Sequence, residues 1–384
     1  IVILINNKII MTTNIMEHFS AINDPRIERR KLHSISEILF LILSCSLCGV
    51  TDYVHMEDFG KAHLGWYKKN YMYEHGVPSH DTLGRLMRAL SPILFRECFL
   101  NWIKSLKPIT GDTISIDGKA LRHSFDNANN KSAIHMVSAW GSKTGLILGQ
   151  EKVGDKTNEI TAIPKLLEIL DIKGALITID AMGCQHEIAN KIKEKGGDYI
   201  FALKGNQGNL SDDVKIFFDD QKLVESSNPS IYETTDGDHG RIEIRKCTVL
   251  SNTNWLIKRN KKWHSIQSIL KLESTREIQN KLSKETRYYI SSSRDDAQRM
   301  LHNIRSHWEI ENKVHWVLDV QFDEDKSRIR KDHSPENMAI VRHCALNMIN
   351  IYKKNKKNLS VKRIQHRAAW SSAERQKIIC QQNF

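Results

Sequence analysis

The hydrophobic period of this 384-residue chain changes once, at a break running from Pro108 to Gly111. Between Ser34 and Pro108 apolar residues recur at three- and four-residue spacing, with helix-start signals at Ser79 or Asp81 and at Ser91-Pro92, the mark of amphipathic helices. Beyond the break, short apolar runs alternate with helical spacing. Runs at 113–116, 134–140, 146–152, 175–179 and 199–203 read as strands, while 159–170 and 185–195 read as helices closed by Gly174 and Gly196. Three strands in succession, then helix, strand, helix, strand, fit a meander that continues into parallel strands covered by helices. After Lys204-Gly205-Asn206 the pattern turns polar and then strand-rich, with runs at 241–250, 266–275 and 285–291, before helical spacing resumes at Asp295. The fold class is therefore α/β, preceded by an all-helical region. The expected division is a helical domain at 17–110, a core at 111–206 and 295–350, a β-rich insertion at 207–294 and a basic tail at 351–384.

Charge narrows the partner. Lys and Arg number 57 against 45 Asp and Glu, a net charge of +12, and the stretch from Lys326 to Phe384 holds 14 basic and 3 acidic residues. The rest of the chain is nearly neutral. Such a concentration fits a polyanion, nucleic acid before membrane, with solubility as the bland alternative. Seven dispersed cysteines, an odd number, fit a reducing compartment. Cys45 and Cys48 lie beside the apolar run 38–43 with no second pair at zinc spacing, so they read as core. The segment Ile1 to Met11 is apolar but too short to span a bilayer. It reads, with the residues to 16, as a non-native or disordered leader, Met11 or Met16 being the start. With no other stretch of membrane-spanning length, a cytoplasmic protein without a membrane partner is expected.

Two aspartates end apolar strands. Asp117 follows Thr113-Ile114-Ser115-Ile116, and Asp180 follows Leu176-Ile177-Thr178-Ile179, the positions where open α/β sheets present reactive groups. A buried carboxylate is costly unless paired or metal-bound, so two converging carboxylates suggest a cation. Helix capping would explain either one alone. A third comes from the late helix, where His307, Glu311 and His315 are spaced to share a face beside Trp308 and Asn312. Glu309 points elsewhere. Asp319, Asp323, Glu324 and Asp325 rival Glu311, but they fall at the helix end, with Arg328 and Arg330 near enough to neutralise them. Three carboxylates with open coordination match a two-Mg²⁺ phosphoryl-transfer site. Lys119 and Lys204 follow strand ends and read equally as phosphate contacts or solvated lysines; Asn206 and Gln207 hold a nucleotide or end a strand. Trp255 and Trp263 read as core or as base-stacking surfaces. The segment Pro78 to Met87, with Arg85 and Arg88 facing out, is one helix of a groove-reading pair or a structural helix. Neither Gly60-Lys61 nor Gly118-Lys119 is followed by Ser or Thr, which excludes a P-loop, and G-x-S-x-G and H-E-x-x-H motifs are absent.

Asp117-Gly118-Lys119, Ile179-Asp180-Ala181-Met182-Gly183-Cys184-Gln185, Leu203-Lys204-Gly205-Asn206-Gln207 and His307 to Trp316 together resemble the H-repeat-associated, ISAs-type insertion-sequence transposases. The match extends to Asp24-Pro25-Arg26, Val77 to Thr82, Asn158 to Pro164 and Leu318 to Asp325, and so covers about residues 17 to 350. The resemblance implies a DDE enzyme with an RNase H-like core, in which Asp117, Asp180 and Glu311 are catalytic and hold two Mg²⁺, with Mn²⁺ as a substitute. It implies cut-and-paste chemistry on double-stranded DNA, terminal inverted repeats and target alike, by a homodimer. The DNA contacts expected are Lys119, Lys204, Asn206, Arg305, His307, Asn312, Lys313, Arg328, Arg330 and Lys331. One departure stands: the Tyr, Arg, Glu, Lys signature of the broader group is here Ile304, His307, Glu311 and Leu318, so its phosphate contacts fall to His307, Lys313 or Arg305. A nuclease that cuts without joining, or a protein that only binds DNA, are the alternatives.

Overall fold

The computed structural model describes residues 2–5, 8–11, 14–28, 31–106, 111–125, 132–154, 157–238, 240–279, 281–354, 356 and 358–380. A hairpin of β1 (Val2–Ile5) and β2 (Lys8–Met11) precedes α1 (Asn14–Phe19), whose Ile15 and Met16 are buried. The expected leader thus overlaps the folded core. There follow α2 (Ile35–Leu47), α3 (Tyr53–Ala62), α4 (Leu64–Asn70), α5 (His80–Ala89) and α6 (Pro92–Leu106). Ser34 and Glu37 close a reciprocal capping box on α2, and residues 37–47 of that helix are all buried, Cys45 among them. A helix apolar all round must lie inside a bundle.

The strand pattern of the second region becomes β3 (Thr113–Ala120), β4 (His135–Gly141), β5 (Leu146–Lys152), α7 (Glu159–Ile169), β6 (Leu176–Ile179), α8 (His186–Glu194) and β7 (Asp198–Leu203). The strand order is β5-β4-β3-β6-β7, with β3, β4 and β5 antiparallel and β3, β6 and β7 parallel. Three antiparallel strands joined edgewise to two parallel ones, with helical crossovers, are the RNase H-like arrangement that the resemblance implies.

The inserted block does not form a separate β-domain. After α9 (Asn209–Asp219) and α10 (Gln221–Ser226), the strands β8 (Ser230–Asp238), β9 (Arg241–Leu250), β10 (Ser268–Ile278) and β11 (Lys281–Ser291), with α11 (Asn254–Arg259) between β9 and β10, prolong the same sheet to nine strands. The junction is β11 against β7, antiparallel, with Tyr288 opposite Leu203 and Ser291 opposite Ile200. Trp263 is buried and Trp255 stacks on Phe217 at 4.8 Å, so both act in packing.

From β11 the chain returns across the sheet as α12 (Ala297–His307). It is fixed over β3 by Thr113, whose hydroxyl donates to Asn303 Oδ1 at 2.9 Å, and by Ser115, whose hydroxyl donates to the Ser306 carbonyl at 3.2 Å. A π-helical turn at Glu311–His315 leads into α13 (Trp316–Gln321). Then α14 (Ser334–Lys353), buried along most of its length, joins the helical region to the sheet. Its Asn337 Nδ2 donates to the carbonyls of Met87 and Leu90, both at 2.9 Å, and its Asn347 amide accepts from the Ile147 N–H at 2.8 Å and donates to the Ile147 carbonyl at 2.9 Å. Asn347→Ala strips two buried backbone groups of their partners at about 1–3 kcal/mol each. A loss of about 2–6 kcal/mol in unfolding free energy is expected, read from the urea midpoint.

The basic tail is folded rather than trailing. It forms α15 (Val361–Trp370) and α16 (Ser372–Ile379), and the fully buried Arg375 stacks over the rings of Phe59 (4.8 Å) and Trp66 (4.6 Å). Among the described residues no helix is long and apolar enough to cross a membrane.

Candidate active site

Register places the two strand-end aspartates side by side. Ile116 of β3 pairs with Ile179 of β6, so Asp117 and Asp180 each follow the last matched pair of two parallel neighbours. The Asp180 carboxylate is held in its loop, Oδ1 accepting from the N–H of Met182 at 3.0 Å and of Gly183 at 3.2 Å. That loop is tied to the end of β7, where Asn206 Nδ2 donates to the Ala181 carbonyl at 2.7 Å and Gln207 Nε2 to the Cys184 carbonyl at 2.5 Å. Asn206 therefore shapes the Asp180 loop.

Asp117, Asp180 and Glu311 all line one cleft of about 530 Å³, with Thr178, Lys204 and His307 also on its walls. The inserted block supplies the opposite wall through Glu285, Arg287 and Tyr288 of β11. This wall was not legible from the sequence, because it rests on the pairing of β11 with β7. Arg287 lies 2.8 Å from Glu285 and 5.1 Å over the ring of Trp308, which braces the cleft rim.

Electrostatics mark Asp117 as the strained member. Burial raises its pKa to about 7; the Gly118 N–H pulls it back, and the charges of Glu159, Asp180 and Glu311 push it up again. Glu159 lies 2.8 Å from His135, a proximity that local spacing in the sequence does not mark. His315 Nδ1 lies 3.5 Å from Asp117 Oδ2, and burial first, then Lys119, lowers the His315 pKa to about 4, leaving a neutral imidazole. His307 is likewise depressed by burial, and its Nδ1 pairs with the Thr178 hydroxyl at 3.1 Å. Glu311, at the start of the π-turn, is exposed and, like Asp180 and Asp117, has no Lys or Arg ion pair among the described residues. Cleft carboxylates without cationic partners fit hard divalent ions. The three surround the cleft rather than meeting at a point: among the described residues no three His, Cys, Asp or Glu side chains are grouped to hold one ion.

Several expected DNA contacts are engaged elsewhere. Lys119 points away from the cleft into the acidic cluster, bonding to Asp319 and, at 2.6 Å, to Glu324. Burial opposes its charge, but Glu324 and Asp319 outweigh burial and hold its pKa above the usual value. That cluster is neutralised by Lys119, by Arg122 at 3.3 Å from Asp325 and by the buried Arg342 at 3.5 Å from Glu324, not by Arg328 and Arg330. Arg305 pairs with Asp236 at 3.0 Å, Lys313 with Glu309 at 2.7 Å, and Asn312 Nδ2 donates to the Trp308 carbonyl at 3.1 Å. Arg330 donates from Nε to the His123 carbonyl at 2.8 Å and covers the Phe125 ring at 4.5 Å. Arg328, Arg330 and Lys331 do not reach the cleft; with Arg88 of α5 they border a separate groove of about 850 Å³. Lys204 in the cleft and Arg328 and Lys331 in the groove are exposed and have no ion pair among the described residues.

Residues 109–348 match the model of the transposase DDE domain, and residues 16–103 that of the domain described as DDE_Tnp_1-associated. Over 342 residues the chain is 42% identical to the "H repeat-associated putative transposase YhhI" of Escherichia coli strain K12, spanning 87% of this chain and 90% of that one. Over 354 residues it is 40% identical to YncI of Escherichia coli O157:H7, spanning 91% of this chain and 90% of the other. A piggyBac transposase in a synaptic complex with hairpin DNA superposes with a TM-score of 0.43 at 12% identity, over 96% of this chain and 77% of that one, a likeness too distant to bear on the site.

Proposed function

We propose, from the premise that the chain belongs to the DDE-domain transposase family, that it cuts and joins DNA strands at the ends of an insertion sequence. The observation that carries this reading is that Asp117, Asp180 and Glu311 line one open cleft, none of them ion-paired to a Lys or Arg among the described residues. These three carboxylates would hold two Mg²⁺, or Mn²⁺ in their place; when bound, such ions supply charge neutralisation at a phosphodiester and activation of water or a 3′-hydroxyl. The chain's own part is positioning. Asp180 is held to its loop by the Met182 and Gly183 amides, His307 stays neutral beside it, and Lys204, without an ion pair among the described residues, offers its charge to a phosphate within the cleft.

Double-stranded DNA, both terminal inverted repeats and target, is the substrate in this reading, bound by a homodimer with the helical region reading the repeats. The groove bordered by Arg88, Arg328, Arg330 and Lys331 takes the duplex backbone as it leaves the cleft. Replacing Arg328 and Lys331 together by Gln is expected to flatten the salt dependence of binding by about two units, near 0.9 per phosphate contact. The buried Arg342 and Arg375 lie out of reach of DNA. Filter-binding titrations at several salt concentrations provide the test, and an unchanged slope would return the groove to mere solubility. A strand-transfer assay with pre-cut ends separates joining from simple cutting: hydrolysis without joined product would make this a nuclease, and binding alone would make it a DNA-binding protein.

A further inference from the structure

We propose that Glu159, clamped by His135 behind Gly118, is a fourth carboxylate of this site that sets how tightly Asp117 takes up a divalent cation. It is a positioning residue, and the inference rests on the reading of Asp117 as a cation ligand.

Glu159 is the first residue of α7, and its side chain is turned back toward the sheet and only 14% exposed. Its Oε1 lies 2.8 Å from Nε2 of His135, the first residue of β4, in an ion-pair contact that is close but not aligned as a hydrogen bond. The third wall of the enclosure is Gly118. A Cβ built there would collide with the Glu159 carboxylate and lie 2.7 Å from His135 Nε2, so the residue next to Asp117 must lack a side chain for the pair to sit where it does. A glutamate that only favoured the positive end of α7 would need neither the glycine nor the histidine.

The consequence is electrostatic. The Glu159 carboxylate packs against Gly118, the residue next to Asp117, and so adds a negative charge beside it. His135 fixes the geometry of Glu159 and is itself raised by the pair. A divalent cation at Asp117 would relieve that repulsion, so the empty site is held at higher energy and the bound one is favoured. Residues that act on a ligand from behind in this way typically alter metal affinity or activity by about 10- to 100-fold.

The test uses the full chain without DNA and Mn²⁺ as the probe, with binding followed by the loss of the free-ion electron spin resonance signal. Glu159→Gln is expected to weaken Mn²⁺ binding by about 10- to 100-fold, and to raise by a similar factor the Mg²⁺ concentration giving half-maximal cleavage. Gly118→Ala, which displaces the same carboxylate, should shift both in the same direction and decides the matter alone if Glu159→Gln does not fold. A purely structural role would lower the thermal midpoint and leave Mn²⁺ affinity unchanged. If both variants bind Mn²⁺ as the wild type does while Asp117→Asn has lost it, Glu159 has no such role. If Asp117→Asn also binds normally, the cation-ligand reading of the cleft fails, and this inference with it.

Discussion

Glu311→Gln is expected to lower the rate of strand cleavage about 1,000-fold or more while leaving DNA affinity within about twofold. The change keeps shape and removes one charge. Loss of a metal-holding carboxylate forfeits several kcal/mol of transition-state stabilisation, and each 1.36 kcal/mol is tenfold in rate. Glu311 is suited to this role by its place at the head of the π-helical turn Glu311–His315, a departure from α-helix often found at functional positions. Three residues could be mistaken for it, and the structure separates them. Glu309 is held by Lys313 at 2.7 Å and accepts from the Trp140 indole N–H at 3.3 Å, while Asp319 and Glu324 are bound to Lys119. Glu309→Gln should therefore cleave within about twofold of wild type, a control two residues away with the same chemical change. Single-turnover cleavage with both variants reads the contrast, and similar losses in the two would remove Glu311 from its special place.

Asp117→Asn should make the cation-free protein more stable above pH 7. An aspartate held at a pKa of about 7 in the folded chain, against an ordinary 3.8, keeps a proton that the unfolded chain has already released. Folding then takes up a proton between those values, so stability falls as pH rises from about 4 to 7 and stays lower beyond it. At 1.36 kcal/mol per unit the cost approaches about 4 kcal/mol, and because the Asp117 side chain is 30% exposed, solvent screening reduces it. The neutral amide escapes that cost. The difference between variant and wild type should be largest at pH 8 and vanish near pH 4, and Mg²⁺ should narrow it by stabilising only the wild type. Urea midpoints at the two pH values measure it directly. Coincident curves for the two proteins at pH 8 would mean that the carboxylate is not disfavoured in the fold.

What the sequence made legible was local. The alternation of β3 and β6 stops at an aspartate in each, and the order of strands and helices between residues 113 and 203 already implies parallel neighbours that bring those two ends together. What it concealed was distant in the chain or depended on direction. The pairing of Tyr288 with Leu203, which joins the inserted strands to the core sheet and makes β11 a wall of the cleft, leaves no local periodic trace. Lys119 follows a strand end as a phosphate ligand might be expected to, yet its partner Glu324 lies 205 residues away and turns it inward. The surplus of positive charge after Lys326 misled for a related reason. Arg342 answers Glu324 and Arg375 packs on the rings of Phe59 and Trp66, so part of the charge count is spent on internal packing. Helical spacing suggested a common face for His307, Glu311 and His315, but the π-turn splits it: the first two line the cleft and the third is buried behind Asp117.

The central claim, that Asp117, Asp180 and Glu311 form a metal-dependent cleavage centre, is tested most directly with the flanking DNA ends of this element. Wild type and Glu311→Gln are incubated with those ends and Mg²⁺, and the products are mapped at nucleotide resolution. Cleavage at defined end positions by the wild type, with bound but uncut DNA for the variant, is the expected result; cleavage by Glu311→Gln at the wild-type rate would contradict it.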